Sequence, residues 1–271
     1  MIVAVDTGGT KTLVTLFSRD GVAGKIIKFP TPPNQDDYLD LLKKTLRENY
    51  GGQRIEAIAI AMPGIVKNGV AIWCNSLKWS NFDIETKLKG VLGNAPILIE
   101  NDANLAGLGE TRPREPMPLS VLYVTISTGI GTGIITNGEI DSGLRLSEGG
   151  RMLVEYKGET REWESFASGK AIYQDFNNYA KNIHDDKTWD DIADRISHGF
   201  LVAIPLLQTD LVIIGGSIGT YFDRYSKRLK QILSKRLPPH ISCPKILSAR
   251  HPEQAVIYGC YYYAIDSLSA K

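Results

Sequence analysis

The chain has 271 residues, with 31 Lys and Arg against 30 Asp and Glu, a formal net charge of +1, and a hydrophobic fraction of 43%. That length suits two ordinary domains around a cleft, and the apolar fraction supplies a core for each, which excludes a disordered or collagen-like chain. The even charge lacks the basic excess that many phosphate contacts demand, so no nucleic acid is expected as a partner.

The opening stretch 2–5 reads as a strand with no leader pattern ahead of it, and a cytoplasmic protein is expected. A glycine turn at Gly8-Gly9, a strand over 12–17, an Asp20-Gly21 turn and a run over 25–29 continue it as two or three antiparallel strands. Pro30, Pro32 and Pro33 end that sheet, and Leu39, Leu41, Leu42 and Leu46 give a helical stripe over 38–50, closed by Gly51-Gly52. A buried strand over 55–61 stops at Pro63-Gly64. A helix follows over 84–92, and a strand over 96–100 delivers Asn101-Asp102 at its C-terminal end, where ligand-facing residues of α/β sheets sit.

Pro113, Pro116 and Pro118 mark the expected domain boundary. The expected domains are 1–117, with a C-terminal segment 252–271 packing back on it, and 118–251. The plan then repeats as a strand over 120–126, a glycine turn over 129–133, a strand over 134–136 and an Asn137-Gly138 turn. Helices are expected over 169–181 and 188–209, then a buried strand over 211–214, Gly215-Gly216, a helix running to 236, and a last helix over 252–268. The most apolar stretch, 200–214, is interrupted by Pro205, Gln208 and Asp210 and is too short to cross a bilayer, so no membrane partner is expected. Cys74, Cys243 and Cys260 are scattered and form no CxxC pair, which argues against a disulfide framework or a zinc knuckle.

The turn Asp6-Thr7-Gly8-Gly9-Thr10-Lys11 lies between two strands, unlike a P-loop or a Rossmann turn, both of which open a helix. Its physics is related, because glycines admit phosphate close to backbone amides while Thr10 and Lys11 add a hydroxyl and a cation. A plain hairpin remains the simpler reading of that turn alone. A second turn at Thr128, Gly129 and Gly131 in the matching place of the second half, with Gly215-Gly216 for the nucleoside, points instead to an actin-like, sugar-kinase ATPase fold.

The chain resembles the ROK family of sugar kinases and sugar-responsive repressors nearly end to end. The residues that carry the resemblance are DTGGTK at 6–11, Met62-Pro63-Gly64, Asn75 with Trp79, ENDANLAGLGE at 100–110, STGIGTGI at 127–134, EGGRM at 148–152, WESFASG at 163–169 and IIGGSI at 213–218. It implies an α/β, two-domain actin-like (ribonuclease H-like) fold and ATP-dependent phosphorylation of a hexose hydroxyl. Asp102 would be the general base, although Asn101 or Asp102 also suits a structural N-cap. Asp6 would be the Mg²⁺-side carboxylate, acting through water, or else a buried turn-capping Asp. Gly64, Asn75, Asn101, Asp102, Glu148 and Glu164 would contact the sugar as a set of paired amides and carboxylates suited to adjacent hydroxyls.

The chain departs from that family at two places. Arg151 stands where the family has a histidine that ligates zinc and touches the sugar, and the stretch 156–163 lacks the family's cysteine cluster, so no zinc is expected. Arg151 would reach the sugar or pair with Glu148 or Glu164, the pairing being favoured, and Tyr156, Trp163 and Phe166 would hold the loop by packing. A repressor's DNA-binding segment is not expected, since five residues precede Asp6. Alternatives are a sugar-binding regulatory protein of weak catalysis, a kinase for fructose, mannose or an N-acetylhexosamine, and a phosphotransferase for a non-sugar substrate. The family also suggests a homodimer.

Overall fold

The computed structural model describes residues 1–252 and 254–269. The chain divides into two compact units, one of Met1–Arg112 with the described residues from Val256 onward, the other of Pro113–Ala255.

The first unit runs β1 (Ile2–Thr7), β2 (Lys11–Phe17), β3 (Ile27–Pro30), α1 (Gln35–Tyr50), β4 (Ala57–Met62), β5 (Ile65–Lys67), β6 (Val70–Cys74), β7 (Trp79–Phe82), α2 (Ile84–Leu88), β8 (Ile97–Asn101) and α3 (Asp102–Thr111). Its main sheet has the order β3-β2-β1-β4-β8, with β2 antiparallel to β1 and β4 parallel to both β1 and β8. All six residues of β4 are buried, as are all of β1 except part-buried Asp6. Such unbroken apolar runs belong to strands covered on both faces. Helix α1 covers the sheet with Tyr38, Leu39, Leu42 and Leu46, and starts at Asn34, whose side chain accepts the Asp37 N–H at 2.8 Å.

The C-terminal helix, Ala255–Ser269, joins this unit from Val256 onward. Tyr261 stacks on Phe17 with ring centroids 5.0 Å apart, and Arg112 pairs with Asp266 at 2.6 Å. Of the segment expected over 252–271, Glu253, Ala270 and Lys271 lie outside the described residues.

Two local expectations are corrected here, and one stretch left unassigned takes shape. The third strand starts at Ile27, because the Thr15 hydroxyl donates to the carbonyls of Gly24 and Lys25 and occupies the ladder there. The helix expected to 92 ends at Leu88, ahead of Gly90 at φ +82°. Residues 65–82, unassigned from the pattern, form the antiparallel sheet β5-β6-β7. Its first turn is Asn68-Gly69, both at positive φ, the hairpin signal that an Asn-Gly pair carries.

The second unit repeats the plan with β9 (Ser120–Ile126), β10 (Ile130–Thr136), β11 (Glu139–Ile140), β12 (Leu153–Tyr156), β13 (Glu159–Glu162), α4 (Glu164–Ala167), α5 (Gly169–Phe176), α6 (Asp186–Leu207), β14 (Leu211–Gly215), α7 (Gly216–Gly219), α8 (Phe222–Arg236) and β15 (Lys245–Ser248). Its sheet order, β11-β10-β9-β14-β15, again sets an antiparallel hairpin beside two parallel strands. Helix α5 stops at Phe176, short of the expected 181, because Asn177 turns left-handed at φ 48°. Helix α6 begins earlier than expected, at Asp186, since the Asp185 carboxylate caps it by accepting the Thr188 N–H at 2.8 Å. Among the described residues no helix is long and apolar enough to cross a membrane.

The core of this unit is built around Trp163, which is fully buried, meets Phe200 edge-on at 5.4 Å and donates its ring N–H to the Arg195 carbonyl. Gly199 on α6 lies flat against that indole, so any Cβ there would overlap the ring. Gly199→Ala is expected to destabilise the protein by about 1–3 kcal/mol through overpacking, read as a lower denaturant midpoint with an unchanged slope.

Candidate functional site

Register brings the first unit's chemistry to one end of its sheet. Asp6 lies opposite Ala61, Ala61 opposite Glu100 and Met62 opposite Asn101, so the C-terminal ends of β1, β4 and β8 are level. With strands about 4.8 Å apart, the backbone at Asp6 and that at Asn101 are separated by about 10 Å across two strand spacings.

The turn after β1 is tight. The Gly8 N–H donates to the Lys11 carbonyl at 3.0 Å, and a Cβ on Gly8 would sit 2.9 Å from that oxygen. Thr31 pins the turn from outside, its hydroxyl donating to the Gly8 carbonyl at 2.8 Å and its N–H to the Thr10 carbonyl at 3.2 Å. Thr31 escaped the sequence reading because nothing in its local pattern marks a partner so far along the chain. Gly9 and Thr10 are exposed at the tip, with Lys11 at the start of β2.

A second group gathers at the ends of β4 and β8. Gly64 sits at φ +85° with the Trp73 carbonyl where a Cβ would go, so only glycine fits. The Cys74 thiol donates to the Pro63 carbonyl at 2.8 Å, and the Asn101 side-chain N–H donates to the Gly64 carbonyl at 2.8 Å. The Asn101 side-chain oxygen also caps α3 by accepting the Asn104 N–H at 3.0 Å. The capping role weighed from sequence therefore falls to Asn101, which keeps one N–H and one lone pair beyond these bonds. Asp102, the first residue of α3, is part-buried and accepts the Ala103 N–H at 2.8 Å through one oxygen. Burial, with help from the Asp102 charge, pushes the Cys74 thiol up to about 12, which keeps it a neutral donor. Asn75 is exposed in the turn between β6 and β7.

The Asp6 carboxylate, unlike the side chains of Asn101 and Asp102, has no hydrogen-bond partner among the described residues. Burial raises its carboxyl to about 6, and the Lys11 charge pulls the other way. A desolvated carboxylate whose oxygens are uncommitted suits a hard cation that keeps its own waters and takes one or two carboxylates.

In the second unit the turn is shorter than expected. Ser127, Thr128 and Gly129 make it, and Gly131 is already a strand residue of β10, opposite Thr125. The glycines at 131 and 133 extend the strand, which carried the apparent turn two to four residues too far. Parallel pairing sets Gly215 opposite Thr125, so Gly215-Gly216-Ser217 emerges beside the turn. The Tyr123 hydroxyl fills the space a Cβ on Gly215 would need, and Gly216 has φ +78°. A cavity of about 510 Å³ opens here, lined by Ser127, Thr128, Lys170, Tyr173, Lys181 and Tyr221 among others. Tyr179 also lines it, its ring 4.5 Å from that of Tyr173 and under the Lys181 ammonium at 5.9 Å. Aromatic faces beside two lysines suit a flat base bearing anionic groups. The aromatic residues escaped the sequence reading because α5 and the following 3₁₀ turn (Ala180–Asn182) bring them together only in three dimensions.

The remaining candidates cluster on the second unit against the same turn, where a Cβ on Gly129 would meet the Glu164 carboxylate. Arg151 pairs with Glu162 at 2.6 Å and with Glu164 at 3.1 Å, and Glu164 also accepts the Ile130 N–H at 2.9 Å. Glu148 is part-buried beside them, its carboxyl raised by burial, lowered by Arg151 and raised by Glu164.

Comparison with known proteins agrees with this geometry. The model of the ROK family matches residues 2–267. The chain belongs to the ROK family. Glucokinase of Streptomyces coelicolor is 27% identical over 67% of this chain, which spans 59% of that relative's length. N-acetylmannosamine kinase of Haemophilus influenzae is 28% identical, covering 99% of this chain and 96% of its own length. A ROK-family glucokinase from Streptomyces griseus, solved with glucose and AMPPNP, superposes with a TM-score of 0.82 at 19% identity over 98% of this chain and 99% of that one. Xylose repressors also occur among the relatives. These ROK sugar kinases have the two-domain actin-like ATPase fold, and so does this chain.

In this ROK member residues 153–162 form a β-hairpin. Lys157 and Gly158, both at positive φ, turn β12 into β13. Tyr156 stacks on Phe166 at 4.1 Å with an interplanar angle of 3°, and His198 meets both rings edge-on.

The Asp6 environment gives a signed pH dependence. Its carboxyl titrates near 6 in the folded chain against 3.8 for the unperturbed group, so between these values the folded state holds a proton that the unfolded state has lost. Stability from this group therefore falls as pH rises from about 4 to 6, by on the order of 1 kcal/mol per pH unit, and stays reduced above. Chemical denaturation of the metal-free protein is expected to show Asp6→Asn gaining on the wild type across that window, with the gain levelling off above it.

Proposed function

We propose that this chain is an ATP-dependent sugar kinase that phosphorylates a hexose hydroxyl, with Asp102 as general base. The observation that carries it is the level alignment of Asp6, the Gly64 turn and Asn101-Asp102 on parallel strands. Backbone positions about 10 Å apart at Asp6 and Asn101, with Asp102 one residue further on, leave room for a transferring phosphoryl group and its acceptor hydroxyl. The ROK membership and the kinases among the relatives support the same assignment.

In this scheme the N–H groups of the Gly8-Gly9 turn and of the Thr128-Gly129 turn, with Thr10 and Lys11, take phosphate oxygens. Gly215-Gly216 and the cavity lined by Tyr173, Tyr179 and Lys181 take the nucleoside. Asp6 is the residue that would hold Mg²⁺, through water; the ion supplies charge neutralisation on the phosphates. Asn75, Asn101, Glu148 and Glu164 orient the sugar through its hydroxyls. Asp102, fixed at the start of α3 by its bond to the Ala103 N–H, takes the proton of the acceptor hydroxyl. That hydroxyl oxygen bonds to the γ-phosphorus as the bond to ADP breaks, giving sugar phosphate and ADP.

Glucose is the first acceptor to test, with mannose, fructose and N-acetylmannosamine beside it. A regulatory sugar-binding role is the second reading, favoured by the xylose repressors among the relatives. A coupled ADP-release assay over these sugars separates the two, since a regulator of weak catalysis gives no sugar-stimulated release. Asp102→Ala is expected to lower kcat by about 10²–10⁴, as loss of a general base does, and near-full turnover by that variant would remove Asp102 from the role. Tyr179→Ala is expected to raise the KM for ATP while leaving that for sugar near its wild-type value. With Mg²⁺ in excess, a zinc-selective chelator is expected to leave turnover unchanged.

A further inference from the structure

Arg151 stands on a base that cannot shift. It ends the 3₁₀ turn Gly149–Arg151, in which the Gly149 N–H donates to the Thr132 hydroxyl at 3.0 Å and Gly150 lies so close to the Ile130 carbonyl that no Cβ fits. From there its guanidinium divides between two carboxylates, one nitrogen on Glu162 and the other on Glu164. A planar fork holds both partners at fixed angles, which a single point charge would not do. Glu164 is held at both oxygens, one by Arg151 and one by the Ile130 N–H, and each oxygen keeps a lone pair for a substrate hydroxyl. Glu162 belongs to β13, whose hairpin is steadied by the Tyr156–Phe166 stack.

Resting on the kinase function proposed above, we propose that Arg151 is a positioning residue for the sugar. It holds Glu164 in its binding orientation, and Glu162 is its anchor. Arg151 thus acts on the substrate through Glu164. The charged groups facing Glu148 and Glu164 are Arg151 and each other, and Glu162 completes the cluster. Removing the guanidinium would leave Glu148 and Glu164 without the cation that now offsets their repulsion. Glu164 would then lose its fixed orientation while keeping its place in the chain.

Steady-state kinetics of Arg151→Met, Arg151→Lys and Glu162→Gln test this, with circular dichroism melts to establish folding. Arg151→Met is expected to raise the KM for sugar about tenfold, the loss of one hydrogen bond to a charged group, with kcat within about threefold of wild type. Arg151→Lys should recover part of that loss. Glu162→Gln is the deciding variant, because its half-exposed side chain is a conservative change that preserves folding and is assigned no contact with sugar. A raised sugar KM in Glu162→Gln supports the anchor role. An unchanged sugar KM in Glu162→Gln beside a raised one in Arg151→Met would remove Glu162 as the anchor and overturn the inference as stated. Unchanged KM in both variants overturns it too. Absence of sugar-stimulated ADP release by the wild type itself overturns the kinase function and this inference together.

Discussion

Parallel hydrogen bonding among β1, β4 and β8 is the constraint on which the rest of the first unit's site depends. Because the ladder sets Asp6 beside Ala61 and Met62 beside Asn101, three segments far apart in sequence end at one height. Each then departs in a way that suits its chemistry. β1 turns back through two glycines, β4 stops at a glycine that no other residue could replace, and β8 runs directly into a helix. The buried, apolar bodies of these strands hold the ends rigid, so the polar residues sit on fixed supports and not on mobile loops.

The second unit uses the same plan with different fittings. Its antiparallel hairpin and parallel partner again bring a turn, Ser127–Gly129, beside a glycine pair, Gly215-Gly216. Here close packing does what a special backbone angle does elsewhere, since the Tyr123 hydroxyl occupies the space beside Gly215. The aromatic wall of the cavity and its lysines come from outside that plan, from α5 and the short turn after it. A shared backbone layout therefore supplies the phosphate-type turns, and added elements supply the features that tell one ligand from another.

Sequence exposed the sheet-forming strands well, because a short unbroken apolar run such as AIAIAM, closed by Pro-Gly, suits a strand covered on both faces and is too brief for a buried helix. It also exposed the turns at Gly8-Gly9 and Gly64 and the Asn101-Asp102 pair, whose residue types are needed for reasons local to the chain. It misplaced ends that depend on a single left-handed residue, such as Asn177, and on a side chain interrupting a ladder, such as Thr15. It missed Thr31, Tyr173 and Tyr179, whose partners are defined only by tertiary packing. The hairpins at Asn68-Gly69 and Lys157-Gly158 went unread, because strands of three to five residues are too short to announce themselves by periodicity. Arg151 shows the limit most clearly, because its pairing with Glu164 could be weighed from charge alone, whereas Glu162 emerged only once β12 and β13 were paired.

The Tyr156–Phe166 stack and the Arg151 ion pairs are made entirely from atoms of the chain itself. The two kinds of contact answer differently to their surroundings: the part-exposed ion pairs weaken as salt rises, whereas the buried stack is indifferent to screening.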